Sequence, residues 1–226
     1  MHPSLNLSDT TMSNPNLIAA IELAPTFDQV DSQARENLRQ LSNESNLTEL
    51  KLEFLHALQM PIAAKGRMTR ALKIADKIAV EVTPYSACRN GCSYCCHTSV
   101  AVSVLEAQMI GDAIGKAPLK APARMSRDEI GHYHRQPCPF LDQGQCSIYE
   151  ARPMACRIMF NMSDSSHYCN TEIDPENSRV TQLNLQDLEF TFTGVFMSSG
   201  FADIRDFFPQ GTGRKGPTGR QKKRGR

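Results

Sequence analysis

Four cysteines fall within nine residues, in the string Cys88-Arg-Asn-Gly-Cys92-Ser-Tyr-Cys95-Cys96, and four more follow at Cys138, Cys146, Cys156 and Cys169. Thiolates are soft ligands, and Zn(II), Cu(I) and iron–sulfur clusters select them. A structural zinc site takes four ligands, commonly as two pairs distant in sequence. Cys88 to Cys96 offers one group, and Cys138, Cys146 and Cys156 offer a second across 41 intervening residues. Gly91 gives the first group a residue that can turn tightly. Closing such a site would make folding of the middle of the chain depend on metal. Eight thiols exceed one tetrahedral site, so two ions, or one cluster with spare ligands, both stay open. The adjacent pair Cys95–Cys96 would face opposite ways in an extended segment, so one of them could serve a second ion, bridge, or ligate nothing. The spacing matches neither the common zinc-ribbon pairs nor the ferredoxin run, so it does not choose zinc over iron.

The remaining candidates are weaker. His97 and His167 flank Cys96 and Cys169 and are read as surface histidines first and as substitute ligands second. His132 and His134, two residues apart, do not share a helix face. Arg152 and Arg157 could offset the charge of a thiolate-rich site and donate hydrogen bonds to sulfur. Phe140 and Tyr149 would shield it from water. No orienting acid or base accompanies a cysteine nucleophile, and no phosphate-binding loop stands out, so an enzyme is the lesser expectation.

Elements that would position these residues follow from periodicity and caps. Helices are expected over 28–41, from Asn46 to Pro61 with Asn46-Leu-Thr-Glu49 as a capping box, and over 62–80. Val100, Val102 and Val104 alternate like a short strand, and Ser103-Val-Leu-Glu106 is a capping box opening a helix to about 114. Ser126-Arg-Asp-Glu129 could cap another, a short helical turn is expected near 148–152, and a last helix over 182–197. The fold class is therefore mainly α: a helical N-terminal region (26–82), then a small irregular Cys-rich metal-binding core (84–205) with little strand. Residues 1–24 and 209–226 read as disordered ends.

Composition bounds the rest. The chain has 226 residues and 40% apolar content, enough for one domain with extensions. No apolar run approaches the roughly 20 residues of a membrane helix, and the first residues lack the pattern of a secretory signal. A cytoplasmic location is the expectation, in which clustered cysteines point to metal rather than disulfides. Residues 211–226 hold seven basic residues, among them Arg214 and Arg226, and no acid, leaving 18 basic against 24 acidic residues elsewhere, net −6. This tail could bind nucleic acid or another anionic surface by counterion release, or act only as a solubilising end. Oligomeric state is not legible.

The cysteine strings carry a resemblance. Cys88-x3-Cys92-x2-Cys95-Cys96, Cys138-Pro-Phe-Leu and Cys146-Ser-Ile-Tyr-Glu-Ala-Arg-Pro-Met-Ala-Cys156-Arg157 resemble the YkgJ-like cysteine-cluster family, also called CxxCxxCC, over about residues 84–170. The resemblance implies zinc or iron chelation by Cys88, Cys92, Cys95, Cys96, Cys138, Cys146 and Cys156, with Cys169 as a further cysteine that some members carry. A related branch, the flagellin lysine methylases, holds an iron–sulfur cluster on similar cysteines. This chain shows no glycine-rich nucleotide loop, so methylation does not carry over. Three readings remain: a zinc- or iron-chelating protein, an iron–sulfur enzyme or redox protein, and a nucleic-acid adaptor with a structural metal.

Overall fold

The computed structural model describes residues 24–120 and 132–209. The expectations for the N-terminal disorder, the Ser126 cap and the basic tail fall essentially outside those residues. Among the described residues the fold is mainly α, with seven α-helices, several 3-10 turns and four very short strands.

Three helices lead. Helix α1 (Phe27–Glu44) opens on a capping box: Thr26 Oγ1 accepts from Gln29 N, and the Gln29 side chain accepts from Thr26 N at 2.8 Å. Helix α2 (Leu47–Gln59) is where expected but lacks the expected cap. Asn46 sits at φ −88°, ψ 24°, not in the extended backbone that aims a capping side chain at the helix, and makes no side-chain cap bond. Ser45 covers that junction instead, donating to Leu41 O and accepting from Leu47 N. Helix α3 (Ala64–Val82) runs into a 3-10 turn, Thr83–Tyr85, which leads into the first cysteines. Its buried stripe Met68, Ala71, Ile74, Ala75, Ile78 and Val82 follows the 3.6-residue period.

The second half is built from short pieces. Strand β1 (Ala101–Ser103) passes directly into helix α4 (Val104–Ile114) through the Ser103–Glu106 capping box. A two-residue hairpin follows, β2 (Leu141–Asp142) and β3 (Gln145–Cys146), turned by Gln143 and Gly144, both at positive φ. Single-turn helix α5 (Met154–Arg157) comes next, then helix α6 (Gln186–Phe196), strand β4 (Phe201–Asp203) and single-turn helix α7 (Ile204–Phe207). Strand β4 pairs antiparallel with β1, Val102 opposite Ala202, across 100 residues of chain.

Two cores result. The first joins α1–α3 to Met154, Ile158, Phe160 and Met162 and to the inner face of α6. The second gathers Val100, Val102, Ile110, Phe140, Ile148 and Phe207. Cys88 packs on the first core, and Cys138 and Cys146 pack on the second.

The end of α4 is closely fitted. A Cβ on Gly111 would meet Lys116 O at 2.5 Å and Pro118 Cδ at 2.9 Å. Gly111→Ala should therefore destabilise by about 1–3 kcal/mol through overpacking. A urea midpoint unchanged from wild type would show that the 115–118 turn yields freely.

Candidate metal centre

The first cysteine group lies on a turn and a 3-10 helix. Gly91 stands at φ +90°, which an L-residue with a side chain seldom adopts, and Cys92 N donates to Arg89 O at 3.0 Å. Residues Tyr94–His97 form a 3-10 turn rather than an extended segment. Adjacent side chains on it diverge by about 120°, from three residues per turn, rather than facing opposite ways. Cys96 donates a hydrogen bond to the Cys95 sulfur, which brings the Cys95 thiol down to about 7 and pushes Cys96 up.

The later cysteines reach this group from separate elements. Cys138 N donates to Cys96 O at 2.7 Å, and the β2–β3 hairpin sets Cys146 opposite Leu141. Helix α5 carries Cys156. Cys169 ends a 3-10 turn, His167–Cys169. Asn161 ties the first group to this last cysteine: its backbone N–H donates to Cys88 Sγ at 3.3 Å and its side-chain amide to Cys169 Sγ at 3.2 Å. Such sulfur-directed donors favour thiolate over thiol.

Electrostatics confirm the crowding. Burial pushes Cys138 and Cys169 up to about 11, and raises Cys88 and Cys146. Cys156 has an exposed edge, yet the protein on its other sides pushes its thiol well above the ordinary range. Like-charge repulsion adds to each of these. Cys88 and Cys92 act on Cys169, Cys138 and Cys146 act on Cys156, and Cys95 acts on Cys88, Cys96, Cys146, Cys156 and Cys169. All eight thiols are free. As placed, no three His, Cys, Asp or Glu side chains among the described residues are arranged to hold one metal ion. The donor set is nevertheless all soft sulfur, the chemistry that zinc and iron–sulfur groups require. Each cysteine has a single side-chain torsion with staggered wells through which its sulfur can swing.

The other sequence candidates divide. His97 is half-buried, its Nδ1 3.3 Å from Ser93 O. His167 is exposed and edge-on to Tyr168, and His132 and His134 are exposed. Phe140 is buried as expected. Tyr149 is 39% exposed and carries the Arg152 guanidinium over its ring at 3.9 Å, so it covers the arginine and not a metal. The hydrogen bonds of Arg157 run to Asp76 and to the carbonyls of Arg152 and Glu150, not to sulfur. Arg152 bonds Asp76 and its own turn, while its charge favours the thiolates of Cys146 and Cys156.

Three supporting residues escaped the sequence reading. Asn161 is one. Glu106 is another: buried, it caps α4 and reaches across 48 residues to accept from Met154 N at 2.9 Å, which seats the helix carrying Cys156. The capping-box spacing showed the first role and nothing in the sequence showed the second. Glu106→Ala should cost roughly 2–4 kcal/mol, from the lost cap and a stranded buried N–H. A urea midpoint near that of wild type would contradict it. The third, Arg205, is buried and bonds the carbonyls of Cys96, Thr98, Gln136 and Pro137.

No helix of the described residues is long and apolar enough to cross a membrane. No curated protein and no solved structure matches the chain. Residues 87–178 match the family model CxxCxxCC, described as a "putative zinc- or iron-chelating domain". That span contains all eight cysteines together with Glu106, Arg152, Arg157 and Asn161. Residues 87–178 of the chain are thus similar to the CxxCxxCC domain.

Proposed function

We propose that this protein binds zinc or iron through its cysteine cluster, with the metal organising the Cys-rich half of the fold. The observation that carries the reading is the convergence of thiols from the 88–96 turn, the 138–146 hairpin, α5 and the 167–169 turn until they act electrostatically on one another. Raised thiols in mutual repulsion are an unfavourable arrangement for thiolates alone. A cation among them would attract each thiolate and so offset the repulsion between them. Cys88, Cys92, Cys95, Cys96, Cys138, Cys146, Cys156 and Cys169 would hold it, and zinc or iron would supply a covalent anchor for backbone that has few ladder hydrogen bonds. A cytoplasmic location suits reduced thiols of this kind.

The test is metal analysis and a visible spectrum on protein purified without oxygen. Zinc without colour supports a structural or chelating role. Iron with acid-labile sulfide and broad visible absorption places the same cysteines around a cluster. Metal-free protein whose eight thiols all react with a thiol reagent in the native state would refute the reading.

A further inference from the structure

Resting on that reading, we propose that Asn161 is a positioning residue of the metal centre, whose N–H groups hold Cys88 and Cys169 as thiolate ligands and draw charge from their sulfurs. Asn161 is 3% exposed and lies between α5 and the 167–169 turn. Its backbone N–H donates to Cys88 Sγ at 3.3 Å and its side-chain amide to Cys169 Sγ at 3.2 Å. One buried residue therefore addresses two cysteines that the sequence sets far apart.

The backbone donor is aimed by strand pairing. Asn161 forms an isolated antiparallel bridge with Gln182, and the bonds of that bridge belong to its neighbours: Met162 N donates to Thr181 O and Leu183 N to Phe160 O. The N–H and carbonyl of Asn161 therefore face the other way. There the 87–88 segment takes both. Ala87 N donates to Asn161 O at 3.0 Å, and Cys88 Sγ stands where a partner strand would offer a carbonyl. The side-chain donor is aimed by Ser163 and Ser165. Asn161 Oδ1 accepts from Ser163 N at 3.1 Å, with the Ser163 hydroxyl 3.0 Å away, and Nδ2 also donates to Ser165 O at 3.0 Å. This network leaves the amide one orientation and turns its second N–H onto Cys169.

A thiol sulfur is a weak acceptor, whereas hydrogen bonds to a charged acceptor such as a thiolate are roughly twice as strong as neutral ones. Two buried N–H groups aimed at sulfur are thus matched to the metal-bound form. As a thiol, Cys88 points its own weak donor at Met159 O, 3.8 Å away, a contact the thiolate gives up. Each N–H···S bond withdraws electron density from a ligand that stands among like charges. Hydrogen bonds of this kind tune the affinity and the potential of sulfur-ligated metals.

Cobalt(II) titration of the full demetallated chain tests this, with Asn161→Ala and Ser163→Ala as single variants. Asn161→Ala removes the donor to Cys169 and keeps the backbone donor to Cys88. It should bind cobalt about 10–100-fold more weakly than wild type. Its thiolate-to-cobalt absorption should move to lower energy, because the sulfur is more electron-rich. Ser163→Ala disturbs the same loop without touching a sulfur donor, so its absorption should stay at the wild-type energy. Unchanged affinity or an unshifted band in Asn161→Ala, or an equal shift in Ser163→Ala, would overturn the role of Asn161 while leaving metal binding intact. If Asn161→Ala fails to fold, NMR of wild type loaded with a spin-active cadmium isotope decides. Scalar coupling should pass from the metal through sulfur to the Asn161 backbone and side-chain N–H protons, and its absence at either would overturn the proposal. A wild type without any thiolate-to-cobalt absorption would overturn the underlying reading as well.

Discussion

Removing metal with a chelator, and separately Cys92→Ser, should strip hydrogen-exchange protection from residues 84–170 far more than from α1–α3. The reason lies in what holds each half. Helices α1–α3 have continuous backbone ladders and a buried stripe such as Met68, Ala75 and Ile78, all at or near zero exposure. Residues 86–98 and 138–147 have only 3-10 turns, a two-residue hairpin and isolated backbone bonds. Segments with so few apolar contacts open at low free-energy cost, and thiolate–zinc coordination supplies on the order of 10 kcal/mol in small metal-dependent domains. The loss should be graded. Met154, Ile158, Phe160 and Met162 belong to the same core as the helices, so 154–162 should retain more protection than 86–98 or 138–147. Protection equal with and without metal along 84–170 would refute the expectation. Uniform loss extending through α1–α3 would show instead that the two cores unfold as one unit.

How much of this was legible depended on the range of the interaction that decides each feature. Helix α4 was legible because its signal is local: Ser103 and Glu106 are three residues apart, and the cap they form is the cap observed. Helices α5 and α7 span one turn each, too short for any apolar period to register. Strand β4 has three residues, and only its pairing with β1 makes it a strand. The Asn46 cap failed because side-chain type is insufficient without extended backbone at that residue, and Ser45 captured the junction first.

The candidate site divides the same way. Cysteine type and spacing announced soft-metal chemistry, and the matched family segment agrees. The arginines of the Cys146–Arg157 string were placed on sulfur by charge reasoning, but Asp76, on a helix about 80 residues earlier, takes their hydrogen bonds. No local signal pairs Asp76 with Arg157. Asn161 was equally silent, because its contacts to Cys88 and Cys169 exist only after the chain has folded back.

Arg205→Met should be the most destabilising single change outside the cysteines. The guanidinium is 4% exposed and bonds Asp203 Oδ1 at 3.0 Å, where the Asp203 side chain is 1% exposed. It also donates to carbonyls on two stretches that carry ligands, Cys96 and Thr98 on one, Gln136 and Pro137 on the other. Methionine keeps much of the stem volume and removes every donor. Asp203 would then be a buried carboxylate with only the backbone N–H groups of Val100 and Arg205 to stabilise it. Breaking a buried pair in this way costs about 3–5 kcal/mol, a large share of the roughly 5–15 kcal/mol that holds a domain together. Arg205→Lys should recover only part, because an ammonium cannot reproduce the planar fork that spans both stretches. Adding Asp203→Asn to Arg205→Met should recover more, since the stranded charge is removed while the amide oxygen can still cap α7. A urea series on these three variants separates the explanations. If Arg205→Met and the double variant unfold at the same midpoint, the buried charge is not the cause and the lost carbonyl bonds are. If Arg205→Met lies within about 0.5 kcal/mol of wild type, the guanidinium is not what joins the two stretches.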